Sequence, residues 1–196
     1  MSTEAPYTQN VEEIAQRKAK KFSLWLGIIG MFMMFAALSS GFIVYTQGGI
    51  DKGIKTLLPD AFIYSTTLIV ISSMTMHLAY RAAKKMEFRK QIRFLIATII
   101  LGIGFFFFQI EAWNTLTSRG IYFINTNASQ SFIYIFTGLH LAHILAGLLV
   151  LLRALIGKLK NIPQINNAFR MELAAIFWHF LDVLWIYIYV FLLLNQ

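Results

Sequence analysis

Hydrophobic positions in this chain fall into five long runs rather than into a period of two or of three to four. The runs cover 22–46, 61–80, 94–116, 130–152 and 173–194, and polar, basic stretches separate them. Each run is long enough to cross a hydrocarbon core of about 30 Å as a helix. The pattern predicts an all-α bundle of five transmembrane helices, preceded by a polar N-terminal segment over 1–21. Within that segment Val11 to Lys21 reads as a short helix lying at the interface. It is not a signal peptide, because acidic residues interrupt it and the apolar run that follows is too long.

Composition narrows the class. Of 196 residues, 58% are hydrophobic and 13% charged. A soluble domain carries about a quarter charged residues, so a soluble or disordered chain is excluded. There are no cysteines, which excludes disulfides, thiolate metal sites and thioether-linked haem. The net charge of +8 is a membrane signal and not a nucleic-acid one, because the basic residues sit in short loops between spans. Fourteen of them fall on one side (the N-terminal tail and the loops after the second and fourth spans). The other side has three: Lys52, Lys55 and Arg119. By the positive-inside rule the N-terminus is inside and the C-terminus outside.

Ionisable residues inside a span are costly, about 2.5–3.5 kcal/mol on insertion scales, so each needs an account. They are His77, Glu111, His140, His143, His179 and Asp182, with Glu172 at the inner edge of the fifth span. His140 and His143 are three apart, and so are His179 and Asp182, so each pair shares a helix face. His143 and Asp182 lie about 14–15 Å from the inner ends of their helices, at one level. This spacing predicts that Asp182 pairs with His143 or His140 across a helix interface. The set then reads as a structural polar seam of His140, His143, His179, Asp182, Glu172 and Glu111. Glu111 reaches the boundary or Arg119. His77 and Arg81 face lipid headgroups. A bis-imidazole haem site and a proton relay through Glu111, His and Asp182 are the functional alternatives. No phosphate loop, nucleophile elbow or Ser-His-Asp order is present.

The fifth span reads Phe177-Trp178-His179-Phe180-Leu181-Asp182-Val183-Leu184-Trp185. The fourth contains Thr137-Gly138-Leu139-His140-Leu141-Ala142-His143, and the third Gln109-Ile110-Glu111-Ala112-Trp113. These stretches resemble the W-H-F-x-D-x-x-W, T-G-[FL]-H-x-x-H and Q-x-x-E-[YW] signatures of subunit III of the haem–copper oxidases, with Glu111 one place early. Glu172 stands seven residues before His179, as the family's acidic residue does. The chain is similar to the short, five-helix bacterial form, which begins at the third helix of the seven-helix form. Met31 stands where long members carry a buried Glu, so that carboxylate's role does not transfer.

The resemblance implies a non-redox subunit of a proton-pumping terminal oxidase in the bacterial cytoplasmic membrane. Such a subunit packs on subunit I, neighbours subunit II, stabilises the complex and supports proton uptake. It implies no catalytic residue, metal or cofactor in this chain, haem and copper in partner subunits, and bound phospholipid. The electron donor is cytochrome c, with quinol as the alternative. An accessory protein of a nitric-oxide reductase, a small b-type cytochrome and a transporter are further readings.

Overall fold

The computed structural model describes residues 4–49, 53–54, 56–124, 127–159 and 164–196. Among them the chain is all helix and loop. The helices are α1 (Glu4–Gln47), α2 (Ala61–Lys84), α3 (Phe88–Ser118), α4 (Ala128–Leu159) and α5 (Gln164–Leu194). All five are long and apolar enough to cross a membrane, and the chain is a multi-pass membrane protein. Lys52, Lys55 and Lys160 of the charge asymmetry lie outside the described residues.

Helix ends depart from the expected ones in one direction. Each run of apolar residues is continued by polar turns, most at α1 and at the start of α5. Hydropathy marks only the part of a helix that crosses hydrocarbon, whereas the backbone ladder continues into water wherever no Gly or Pro stops it. The segment before Phe22 is therefore no separate surface helix. It is the first part of α1.

α2 and α3 form a tight antiparallel hairpin. Its turn is a Schellman motif: the Glu87 N–H donates to Ala82 O (3.0 Å) and the Met86 N–H to Ala83 O (3.3 Å). The residue that must be left-handed there is Met86, at φ 60°. α3 ends in the same motif, Ile121 N–H to Leu116 O and Gly120 N–H to Thr117 O (both 3.0 Å). There the left-handed residue is Gly120, at φ 80°.

α5 is the hub. It runs antiparallel to α2, with Trp178 over Ser72 and Trp185 over Thr66. It runs parallel to α3, where Gly102 lies under the Trp178 ring. Gly147 of α4 meets Leu181 and the other edge of Trp178. Small residues let backbones approach where there is no hydrophobic drive between helices. α1 lies against α4 and α5 through aromatic contacts, Phe42 with Phe132 and Phe191 and Phe35 with Phe136.

Candidate functional site: a polar seam around α5

In hydrocarbon a hydroxyl cannot borrow water, so Ser and Thr hydroxyls donate to a carbonyl of their own helix. The freed lone pairs then accept from a neighbour. The Ser72 hydroxyl donates to Ile69 O (2.8 Å) and accepts from Trp178 Nε1 (3.0 Å). The Thr66 hydroxyl donates to Phe62 O (2.6 Å) and accepts from Trp185 Nε1 (2.9 Å). Both indoles are fully buried. Trp178 and Trp185, two turns apart on α5, thus fasten α2 at two heights.

Further bonds of this kind tie the remaining helices. Gln109 donates to the Ser65 hydroxyl (3.2 Å) and the Trp113 indole to the Thr137 hydroxyl (3.0 Å). Gln91 and Asn167 exchange two amide bonds (3.2 and 3.0 Å) between the first turns of α3 and α5. Ser39 of α1 shares a hydrogen bond with the Tyr187 hydroxyl (2.7 Å). Gln109, Thr137, Tyr187 and the Trp residues stand out from sequence; Ser39, Ser65, Thr66, Ser72, Gln91 and Asn167 do not. An uncharged hydroxyl in an apolar run carries no signal until its neighbour is known.

The ionisable residues separate into three places. His140 is fully buried, wedged between the Phe105 ring (centroids 5.7 Å) and the Trp185 ring (5.1 Å). Neither of its ring nitrogens has a hydrogen-bond partner among the described residues. His143 turns towards α1, beside Phe35 (6.1 Å), with Nδ1 2.7 Å from its own Leu139 O. Three residues advance a helix by about 300°, so the two imidazoles are some 60° apart and meet different helices.

The expected Asp182–His143 or Asp182–His140 pair is not formed. Asp182 is buried, and its nearest ionic partner is His179 on its own helix, with Oδ2 3.8 Å from Nδ1. That Nδ1 lies 2.7 Å from the Ser73 hydroxyl of α2. Among the described residues the carboxylate oxygens accept no hydrogen bond. Equal depth therefore did not imply contact, because Asp182 shares a face with the α2-facing indoles. His77 stands beside His179 on the outer surface of the bundle (centroids 6.2 Å), and Arg81 is exposed one turn on.

Glu172 meets Lys21 of α1 at 2.6 Å. One turn away Arg17 donates to Asn166 (3.0 Å). These bonds join α1 to α5 beyond the apolar part of the bundle. Glu111 is exposed on α3, and Arg119 bonds Leu57 O (2.8 Å) instead of this carboxylate. Among the described residues no cluster of three or more His, Asp or Glu has metal-binding geometry.

Five membrane-spanning helices tied to one another by indole, amide and hydroxyl hydrogen bonds define a multi-pass helical membrane protein. The family model for cytochrome c oxidase subunit III matches residues 1–195. The chain belongs to that family. It is 31% identical over 175 residues to cytochrome c oxidase subunit 3 of Bacillus sp. (strain PS3), covering 88% of this chain and 84% of that one. It is 29% identical to the Bacillus subtilis subunit, at the same coverages. Cytochrome bo(3) ubiquinol oxidase subunit 3 of Pseudomonas aeruginosa is 30% identical over 173 residues, 86% of this chain and 81% of that one.

Proposed function

We propose that this chain is the non-redox subunit III of a terminal respiratory oxidase in a bacterial cytoplasmic membrane, N-terminus inside. It packs on subunit I, which holds the haem and copper, stands near subunit II, and supports proton uptake from the inner side. The single observation that carries the reading is the match of the family model over essentially the whole chain. The placement of the histidines supports a structural part for them. His140 is enclosed by rings, His143 turns to α1 and His179 to Ser73 of α2, so these three imidazoles are engaged with different neighbours.

Phospholipid binding belongs to the same reading. A groove between the end of α4 and the start of α5 sets Arg153 and Arg170 beside Val150, Ile156 and Leu173. Two guanidiniums above an apolar trough suit a phosphate with its acyl chain.

Cytochrome c is the donor on this reading. Quinol is the second reading, favoured by the near-equal identity to cytochrome c oxidase and quinol oxidase subunits. The experiment is a gentle-detergent pull-down of the chain from its native membrane, with reduced-minus-oxidised spectra of the eluate and of the isolated chain. A haem-bearing eluate with larger subunits and a colourless isolated chain is the expected result. A Soret band in the isolated chain overturns it.

A further inference from the structure

Before its apolar run begins, α1 already lies beside the start of α5, and the facing positions there are mostly polar. Glu13, Gln16, Arg17 and Lys20 are spaced as one face of α1. Asn166, Phe169, Arg170 and Leu173 repeat the same spacing on α5. Stripes at this spacing draw two helices together when they are apolar. These carry three cations and one carboxylate, and they stand apart around a cleft of about 350 Å³. All four α1 residues precede Phe22, where the apolar run begins. At 1.5 Å per residue they lie about 3–13 Å beyond it, at the level of headgroups and water.

The three cations are not equivalent. Arg17 is fixed in place. Its Nη2 donates to Asn166 Oδ1 (3.0 Å), Glu13 Oε2 stands 3.6 Å away, and its guanidinium lies over the Phe169 ring (5.9 Å to the centroid). Lys20 and Arg170 are exposed and make no hydrogen bond or ion pair among the described residues. Cations nearby are matched: Lys21 meets Glu172 and Lys90 meets Glu87. The one carboxylate of the cleft, Glu13, is already turned to Arg17. Like charges around one concavity raise its potential, and an entering anion relieves it.

We propose that this cleft binds a phosphate-bearing anion from the water phase, of the di- or triphosphate class. A guanidinium takes two phosphate oxygens at once, and an ammonium adds a point charge. Arg17 is pre-oriented by Asn166 and Phe169, so little rotamer freedom is lost there on binding. Lys20 and Arg170 close on the anion from the two helices. A lipid headgroup carries the same chemistry, but two features favour the soluble source. Three cations exceed what one phosphodiester charge needs. The apolar part of the lining is only Phe169 and Leu173, without the aliphatic trough that Val150, Ile156 and Leu173 form beside Arg153. The bound anion joins Lys20 of α1 to Arg170 of α5, a further tie beside Arg17–Asn166 and Lys21–Glu172. The site stands on this chain's own geometry and does not depend on the oxidase reading.

The test reads Lys20 in the full-length chain, extracted from its native membrane with the subunits that accompany it and placed in phosphatidylcholine nanodiscs. An amine-acylating ester labels exposed lysines. Mass spectrometry then resolves Lys20 from Lys18, which is exposed but off the cleft. Pyrophosphate, with ionic strength held constant by sodium chloride, is expected to slow acylation of Lys20 on the order of tenfold at ten times its dissociation constant. Lys18 should keep its rate. Arg170→Gln breaks no bond among the described residues, so the fold is kept. It is expected to raise the pyrophosphate concentration for half-protection about tenfold, the loss of one charge-assisted hydrogen bond. Arg153→Gln, which changes only the neighbouring groove, should leave that concentration unchanged. Equal slowing of Lys18 and Lys20 means charge screening and overturns the proposal, as does an unprotected Lys20. Protection by phosphatidylglycerol in the nanodisc that pyrophosphate cannot reproduce assigns the phosphate to lipid and overturns it too.

Discussion

Gly102 sets how closely α3 can approach α5. A Cβ built there would lie 2.8 Å from Trp178 Cη2 and 2.9 Å from Leu148 Cδ2, closer than real contacts allow. Both neighbours are buried in the core, and the Trp178 indole is further held by its bond to Ser72. The side chain with least room to yield is thus the one the methyl would strike. Gly102→Ala is expected to destabilise the bundle by about 1–3 kcal/mol, the usual cost of overpacking. Trp178→Phe removes the outer part of the indole, and in the Gly102→Ala background it should recover part of that loss while giving up the Ser72 bond. Thermal unfolding of the four proteins of this cycle in detergent measures both effects. Additive losses would mean that the indole is not the obstacle.

At the scale of the element, the two Schellman turns make a natural comparison, with the same backbone shape and a different left-handed residue. Gly120 adopts φ 80° without cost, whereas Met86 holds φ 60° against its own Cβ. Met86 is 63% exposed, so little packing is lost on removing it. Met86→Gly is expected to be neutral or to stabilise the α2–α3 hairpin by up to about 1 kcal/mol, and Gly120→Ala to destabilise by about 1–2 kcal/mol. Denaturation midpoints read both signs, and a loss of stability in Met86→Gly would contradict the strain argument.

The same turn carries a titrating group outside the spans. The hydrogen bond from Lys90, with Nζ 2.7 Å from Glu87 Oε2, holds the Glu87 carboxyl below its ordinary value of 4.5. A folded-state value below the unfolded one stabilises above pH 4.5 and loses that contribution as pH falls further. Glu87→Gln should therefore lower stability at pH 6 more than at pH 3.5 and so narrow the difference between them. A wider difference in the variant would reverse the sign argued here.

For the whole molecule, what was legible from sequence follows from which forces leave a local signature. Five spans could be read because lipid requires apolar length in each helix separately. The overhangs of α1 and α5 could not, since water tolerates a helix without demanding one. Within the site, Trp178, His179 and Asp182 were singled out, but their neighbour α2 was not, because every apolar helix can pack on every other and hydropathy does not rank the pairings. The mistaken Asp182–His143 pairing came from depth alone. Its correction, Asp182 beside His179 and Ser73, depends on azimuth around α5, which only the packing supplies.

One global property remains a consequence of charge rather than of packing. The bundle is fixed by internal contacts that are indifferent to which end faces the cytoplasm, so its direction must come from the loops. With 14 of 17 basic residues on one side, the positive-inside rule predicts that side to be inside. The chain has no cysteine, which allows the point to be measured without a background. Single cysteines at Arg89, in the exposed first turn of α3, and at Ile124, 89% exposed beyond its far end, report the two sides. A membrane-impermeant maleimide added to intact cells is expected to label Ile124→Cys and to spare Arg89→Cys until the membrane is opened. The opposite order would mean that the oxidase partners, and not the chain's own charges, set its direction in the membrane.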